Sequence, residues 1–228
     1  MQAAFPAEGS HLARYAARFP VAEINSSFHR PHRPSTYARW AAETPPGFRF
    51  AAKLPKTITH QLRLAAADEA LDAFLAEAAG LGEKLAALLV QLPPSFAFDA
   101  TVAAPFFAGL AARTEASVVC EPRHPSWFED DVDRFLTELG VARVAADPAI
   151  CAAASRPGGS PGIRYWRLHG SPVIYRSSYQ GRLEDYAGKL RADSAPAREV
   201  WCIFDNTASS AGGADALALQ DILGREEA

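Results

Sequence analysis

Three groups able to take part in acid–base or ion-pair chemistry follow an apolar run near the middle of the chain. The run covers residues 118–120, and Glu121, Arg123 and His124 come just after it. A continuous run of β-branched and apolar residues is typical of a buried strand, and Pro122 stops it from continuing as a helix or a paired strand. The sequence therefore predicts a strand whose carboxyl end presents a carboxylate, a guanidinium and an imidazole.

Polar side chains end most of the other apolar runs in the same way. If the strands are parallel, their carboxyl ends meet at one edge and these side chains share a rim. The candidate rim residues are Glu23, Asn25, Lys53, Gln91, Glu121, Arg123, Asp147, Arg167, His169, Asp205 and Asn206. For each residue taken singly, a structural ion pair is the alternative. For the whole set a functional site is favoured, because burying many charges is costly even when they are paired.

The elements that must position these residues are about seven apolar runs alternating with helical patterns. The runs lie at residues 21–28, 48–55, 85–90, 118–120, 141–146, 163–170 and 200–204. Such largely apolar strands are typical of a parallel sheet covered by helices, either doubly wound or barrel-shaped. Polar groups at nearly every strand end favour the barrel, because an open sheet concentrates its site at one switch point. The sequence predicts one α/β domain over residues 1–228, with a TIM-barrel-like fold.

Acid–base catalysis is one function that the rim residues could support. Glu23 and Glu121 are the predicted catalytic pair, with Lys53 or Arg123 separating the proton affinities of the two carboxyl groups. Glycoside hydrolysis would need two carboxylates at a set separation, which a sequence does not give. A metal site would draw on His169 and the carboxylates, but no H-x-H or H-x-x-x-H spacing supports one. No metal is therefore predicted, and the cofactor is left open.

Anion binding is the other function that the rim residues could support. Three of them are cationic, and residues 205–207 precede a glycine-bearing loop, 209–213, whose backbone N–H groups could hold a phosphate ahead of the last helix. A plain turn and helix cap is the alternative for this loop. Tyr179 is a candidate for stacking on a substrate, with ordinary packing as its alternative. No Walker or dinucleotide-binding motif is present.

Two classes of ligand follow from these residues. The leading hypothesis is a small anionic, phosphate-bearing substrate bound at the rim, with hydrolysis by Glu23 and Glu121 as the candidate reaction. The alternative is a non-catalytic barrel that holds a nucleic-acid strand, which predicts binding that weakens steeply as salt rises. A third interpretation is a structural or partner-binding barrel, whose rim is closed by ion pairs and has no pocket.

Composition limits the kind of partner. The chain has 228 residues, with 23 basic and 26 acidic side chains and a formal net charge of -3, so any attraction to an anion must be local. Its cysteines, Cys120, Cys151 and Cys202, lack the C-x-x-C spacing of zinc or redox sites. No stretch reaches the roughly 18 apolar residues of a membrane span, and the amino terminus lacks a signal-peptide pattern. We therefore expect a cytoplasmic protein with no membrane partner.

Several segments together carry a likeness to a known family. They are 21–28 (VAEINSSF), 50–55 (FAAKLP), 58–60 (ITH), 89–94 (LVQLPP), 121–127 (EPRHPSW), 167–170 (RLHG) and 204–207 (FDNT). Taken in this order, they resemble the DUF72 (YecE-like) family across nearly the whole chain. The resemblance implies a TIM-barrel-like fold and no established reaction.

Two departures from the family pattern affect the expected site. Family members usually begin with a strand and a Gly-Trp-containing loop ahead of the segment at Phe5, and this chain has neither. The expectation is either a truncated start or a barrel that closes with seven strands. His29 stands where the family usually has Tyr, so we expect a changed stacking or hydroxyl role at that position.

Overall fold

The predicted apolar runs form the strands of the computed structural model, which describes residues 5–194 and 199–225. The run at 141–146 is divided into two short strands, and a further two-residue strand follows it. The strands are β1 (Val21–Ile24), β2 (Arg49–Lys53), β3 (Leu85–Gln91), β4 (Ser117–Glu121), β5 (Ala142–Arg143), β6 (Ala145–Asp147), β7 (Gly158–Gly159), β8 (Ile163–Leu168) and β9 (Glu199–Phe204). Two of them end earlier than predicted, since β1 stops at Ile24 and β8 at Leu168.

Helices connect most of the strands. They are α1 (His11–Ala16), α2 (Ser26–His29), α3 (Pro34–Ala42), α4 (Asp68–Ala78), α5 (Ala100–Ala111), α6 (Asp130–Glu138), α7 (Leu183–Ser194) and α8 (Ala211–Gly224). Shorter turns are a π-helix at Thr57–Gln61 and 3-10 helices at Ala79–Lys84, Pro125–Phe128, Ala152–Ser155 and Gln180–Arg182. Within the described residues, no helix combines the length and the apolar character needed to cross a membrane.

Hydrogen bonds join the strands into two sheets. The first sheet has the order β1-β2-β3-β4-β5-β7, and the second has the order β6-β8-β9. Every pair is parallel apart from β5 with β7, so the carboxyl ends of the longer strands in each sheet lie on one side. The predicted α/β class with a parallel sheet is confirmed. Over residues 5–194 and 199–225, however, backbone hydrogen bonds do not close the strands into one continuous ring.

The strands bury both of their faces. One face packs against the helices, as Ala52 and Leu88 do in a core that also contains Phe74 and Phe107. The other face forms a second group, which we call the inner cluster. Its buried members are Ala51, Ala86, Ala87, Leu89, Val119, Ala142, Val144, Ile163, Tyr165 and Trp201. Because these residues come from both sheets, the two sheets share one interior.

The polar strand ends continue the inner face. Successive side chains of a strand point to opposite faces, so residues two apart share a face. Six of the candidate residues lie two positions beyond an inner-cluster residue or an apolar side chain packed against that cluster. These pairs are Val21 and Glu23, Ala51 and Lys53, Leu89 and Gln91, Val119 and Glu121, Tyr165 and Arg167, and Ile203 and Asp205. The apolar interior therefore gives way to polar side chains at its carboxyl end.

One predicted feature of the rim, the loop before the last helix, is shorter than expected. The glycine-bearing loop was expected to precede the last helix, but α8 begins at Ala211, so Gly212 and Gly213 lie inside it. The Gly212 N–H donates to the Asn206 carbonyl at 3.2 Å. Ser209 and Ser210 form a turn, and residues 211–213 form the start of α8. The use of these backbone N–H groups to hold a phosphate stays a prediction.

Candidate functional site

Arg167, near the carboxyl end of β8, is the centre of the site. Its Nη2 donates to Glu23 Oε1 at 2.7 Å and to Asp205 Oδ2 at 3.2 Å. Its Nη1 donates to Glu121 Oε2. The Arg167 side chain is fully buried, and those of Glu23 and Glu121 are 1% and 2% exposed. One guanidinium thus joins three carboxylates, and we call these four residues the ion cluster.

Electrostatics keep the ion cluster charged. Burial by itself lowers the pKa of Arg167, but the three carboxylates outweigh it and hold that pKa well above the ordinary value. Burial raises the pKa of Glu121, but Arg167, His169 and Arg123 together hold it well below the usual range. Charges this deeply buried persist only when partners compensate for the lost hydration. At neutral pH the cluster therefore consists of ion pairs.

His169, the residue after β8, bridges two of these carboxylates. Its Nδ1 lies 3.0 Å from Asp205 Oδ2, and its Nε2 lies 3.3 Å from Glu121 Oε1. The Nε2 contact is an ion-pair contact without good hydrogen-bond alignment. Burial lowers the pKa of His169, but the contacts with Asp205 and Glu121 outweigh it and raise that pKa above its ordinary value. The cationic imidazolium is therefore favoured.

Two neighbours complete the hydrogen bonding of Glu23. The Tyr165 hydroxyl donates to Glu23 Oε2 at 2.8 Å, and Asn25 Nδ2 donates to Glu23 Oε1 at 3.0 Å. Tyr165 is fully buried and stacks on Trp201, with ring centroids 5.8 Å apart. Asn25 was predicted at the site from the sequence, and Tyr165 was not. Its position in β8, two residues before Arg167 and so on the same face, is the signal that could have identified it.

Lys53, the last residue of β2, borders the ion cluster and differs from it. The residue is 8% exposed, and its Nζ lies 4.2 Å from the centroid of the Phe28 ring. No carboxylate oxygen of residues 5–194 or 199–225 lies within 4.0 Å of this nitrogen. Burial, and then the charge of Arg167, lower the pKa of Lys53 to about 8, although the three carboxylates of the cluster oppose the shift. Lys53 is thus a buried amine without a direct carboxylate partner.

Three further basic groups lie beside Lys53. Arg123 is 28% exposed, and its Nε and Nη2 both contact one Glu121 oxygen at 2.8 Å. The His60 ring lies 5.0 Å from the same Phe28 ring that Lys53 contacts. Burial lowers the pKa of His60, and the charges of Lys53, Lys56 and Arg123 lower it further. We call Lys53, Lys56, His60 and Arg123 the cationic pocket.

Three predicted substrate-binding residues make their contacts away from the ion cluster, with other parts of the chain. The Asp147 carboxylate accepts from Arg182 Nη2 and from the Tyr186 hydroxyl, on the side of α7. The Tyr179 hydroxyl donates to the Asp147 carbonyl at 3.0 Å. Asn206 Nδ2 donates to a carboxylate oxygen of Asp215 at 2.7 Å. These contacts hold the loops after β6, β8 and β9 in place.

Gln91 is placed beside the ion cluster without joining it. It lies opposite Glu121 in the parallel register of β3 and β4, and it is 7% exposed. Among the described residues, no group of three or more His, Cys, Asp or Glu side chains is arranged to hold a metal ion. The rim thus combines an ion cluster of one guanidinium and three carboxylates with a cationic pocket.

Comparisons with known proteins agree on one family. The family model described as "Protein of unknown function DUF72" matches residues 3–228. The UPF0759 protein YecE of Escherichia coli strain K12 is 31% identical over 141 residues, which are 60% of this chain and 52% of that protein. The YecE protein of E. coli O157:H7 is 30% identical over the same length. The alignment therefore spans about half the length of these relatives.

Solved structures are similar over nearly the whole chain. A DUF72 family protein from Enterococcus faecalis has a TM-score of 0.81 at 23% identity, covering 94% of this chain and 93% of that one. A DUF72 family protein from Thermotoga maritima has a TM-score of 0.80 at 21% identity, covering 99% of this chain and 94% of that one. At this level of identity, the likeness establishes a common fold. The chemistry of the site must be inferred from the geometry of this chain.

Proposed function

This chain belongs to the DUF72 family, whose function is unknown, and on that premise we propose that it binds a small anionic, phosphate-bearing ligand at its carboxyl rim. The observation that carries the proposal is the position of Lys53. A buried ammonium loses hydration, and it is normally compensated by a carboxylate in contact with it. Lys53 has no such contact among the described residues and lies against an aromatic ring. An anionic ligand would supply the missing partner.

Arg123 supports the same proposal from β4. Its guanidinium contacts a single Glu121 oxygen through two nitrogens, and its side chain is 28% exposed. A guanidinium carries five N–H donors, so Arg123 keeps donors for a phosphate or carboxylate group. Lys53, Lys56 and Arg123 give the cationic pocket three cations, and of these only Arg123 contacts a carboxylate among the described residues.

The small number of basic groups around Lys53 favours a small ligand over a nucleic-acid strand. Affinity for a strand depends on several phosphate contacts along a basic surface, whereas this chain carries a formal net charge of -3. Four neighbouring basic side chains match one or two anionic groups. The nucleic-acid alternative therefore comes second, and binding measurements with oligonucleotides test it.

Hydrolysis with Glu23 and Glu121 as acid and base is a finer proposal, and we rank it below anion binding. A catalytic carboxyl group must gain or lose a proton, which requires a pKa near the working pH. Arg167 contacts both carboxylates, and it contributes to holding the pKa of Glu121 well below the usual range. In the anion-binding proposal, Glu23 and Glu121 are not catalytic, and they fix the positions of Arg167 and Arg123.

We also propose that the two sheets curve into a TIM-like barrel. Side-chain contacts connect strands of the two sheets that share no backbone hydrogen bonds. The Tyr165 hydroxyl of β8 donates to Glu23 of β1 at 2.8 Å. Arg49 of β2 contacts Glu199 of β9 at 3.2 Å. The inner cluster also draws on both sheets. Comparison of these contacts in an experimental structure of this chain tests the closure.

Isothermal titration with inorganic phosphate and pyrophosphate at low ionic strength tests anion binding. Lys53→Met and Arg123→Gln each remove one cation, and each is expected to weaken binding by roughly 10- to 100-fold, because hydrogen bonds to charged groups contribute about 1.5–3 kcal/mol. Lys189→Met and Arg134→Gln are matched controls on α7 and α6, and they should leave the affinity unchanged.

The competing outcomes are distinct. If neither anion binds the wild-type protein, or if the control variants weaken binding as much as the pocket variants, the proposal fails. If an oligonucleotide binds with a steep salt dependence while both anions do not, the strand-binding alternative replaces it.

A further inference from the structure

Lys53 differs from the other lysines of the chain in what surrounds its nitrogen. Lys84 Nζ donates to the carbonyls of Ala41 and Thr44 at 2.6 and 2.7 Å, and Lys189 Nζ contacts Asp185 at 2.7 Å. Each of those ammonium groups is stabilised by acceptors. The Lys53 nitrogen lies over the Phe28 ring with no carboxylate contact among the described residues, and the residue is only 8% exposed.

This environment keeps the Lys53 amine reactive near neutral pH. Burial, assisted by the charge of Arg167, lowers its pKa to about 8, even though Glu121, Glu23 and Asp205 act in the opposite direction. An ordinary lysine has a pKa of about 10.4, so only roughly one part in a thousand is neutral near pH 7.5. Because the neutral amine is the nucleophile, desolvation of this kind is a recognised way to activate lysine.

We propose that Lys53 forms an imine with the aldehyde or ketone group of a small anion held by Arg123. This inference rests on the proposed function and adds the chemical class of the ligand, an anionic carbonyl compound. Lys53 lies at the end of β2 and Arg123 two residues beyond β4, with β3 between them in the sheet. Both charges lower the pKa of His60, so each group lies near that ring.

The bond changes balance without any further reactant. The lone pair of the neutral Lys53 nitrogen attacks the carbonyl carbon, a C–N bond forms, and the C–O π electrons move to oxygen. Two hydrogens of the amine then leave with that oxygen as water, and a C=N bond remains. His60 is the neighbouring imidazole for the proton transfers, because its ring and the Lys53 nitrogen both contact Phe28.

Reductive trapping tests the imine. The full chain is incubated with glyoxylate and sodium cyanoborohydride near pH 7.5, and modified peptides are quantified by mass spectrometry at Lys53, Lys56, Lys84 and Lys189. Modification of Lys53 is expected to be at least about tenfold faster than that of the exposed Lys56, because far more of it is the neutral amine. The wild-type protein alone gives this comparison, so the test does not depend on a variant that folds.

Lys53→Arg separates charge from nucleophilicity. It keeps a cation in the pocket, so phosphate should still bind, while trapping at position 53 disappears and the other lysines react as before. Modification spread evenly over the lysines of the wild-type protein would overturn the inference. If glyoxylate competes with phosphate but is not trapped at Lys53, the imine is rejected and anion binding is still supported. Equal trapping of glyoxylate and neutral propionaldehyde at Lys53 keeps the imine and counts against the anion site.

Discussion

Arg167 is the residue on which the ion cluster depends. It contacts Glu23, Glu121 and Asp205 from a position with no solvent exposure, and Tyr165 and Asn25 add hydrogen bonds only to Glu23. A buried ion pair stabilises a fold weakly in comparison with apolar residues of similar size. The loss of one partner, by contrast, leaves an uncompensated charge in a medium that solvates it poorly.

Replacement of Arg167 by Met is therefore expected to destabilise the protein by about 3–5 kcal/mol, since Glu23 and Glu121 stay buried without a cation. Urea denaturation gives the change in the free energy of unfolding. The matched control is Arg49→Met, which removes the partly exposed contact with Glu199 and should cost less than about 1 kcal/mol. Equal effects of the two substitutions would contradict the role given to Arg167.

His169 is expected to make stability depend on pH. Its pKa in the folded protein lies above 6.5, so the folded state binds its proton more tightly than the unfolded state does. The stabilisation is complete below the unfolded pKa and is lost as pH rises through the folded pKa. The His169→Gln substitution should remove this decrease in stability with rising pH. Free energies of unfolding of both proteins between pH 6 and 7.5 give the difference, and parallel curves would refute the assignment.

At the scale of elements, the positions of most strands could be predicted from the sequence, but which side chains of each strand face the interior could not. Apolar runs predicted β1 to β4, β8 and β9 because parallel strands are buried on both sides. The same double burial hides the alternation that shows which residues face inward. Lys53 and Arg167 continue the inner face. Asp147 lies three positions after Val144, and Asn206 lies one position after Asp205, so both side chains point to the opposite face.

The loop after β8 depends on one glycine. Gly170 has a φ of +96°, and an added Cβ would lie 2.9 Å from the Val173 carbonyl oxygen. Gly170→Ala is therefore expected to cost about 1–3 kcal/mol in stability and to displace the loop that carries Tyr175.

The control for this change is Gly188→Ala within α7, where an added Cβ meets nothing within 4 Å. It should stabilise the protein by about 0.5–1 kcal/mol, because alanine favours the helix. Thermal unfolding of the two variants measures both effects. A neutral Gly170→Ala substitution would show that the loop does not need the left-handed backbone.

At the scale of the whole molecule, the two sheets depend on one interior. The inner cluster contains residues of β2, β3 and β4 from the first sheet and of β8 and β9 from the second. The side-chain contact between Tyr165 and Glu23 joins the two sheets at the rim. Neither sheet can bury its inner face without the other, so they are expected to fold as one unit.

Equilibrium unfolding should therefore follow a single transition. Far-UV circular dichroism reports on all the helices, and tryptophan fluorescence reports on Trp127, Trp166 and Trp201, which lie in separate buried clusters. Coincident midpoints in urea are expected for two-state unfolding. Two separated transitions would show that the sheets are independent and would reject the single-domain prediction.

The shared guanidinium of Arg167 also limits how this sequence can evolve. Because Arg167 compensates Glu23 and Glu121 together, a lone apolar replacement at any of the three positions leaves an unmatched charge. Simultaneous apolar replacement at all three removes this buried ion pairing as a unit, and it is better tolerated than any one of the three changes alone. Related sequences should therefore keep these residues as a set or exchange them as a set, so that intermediate combinations are rare.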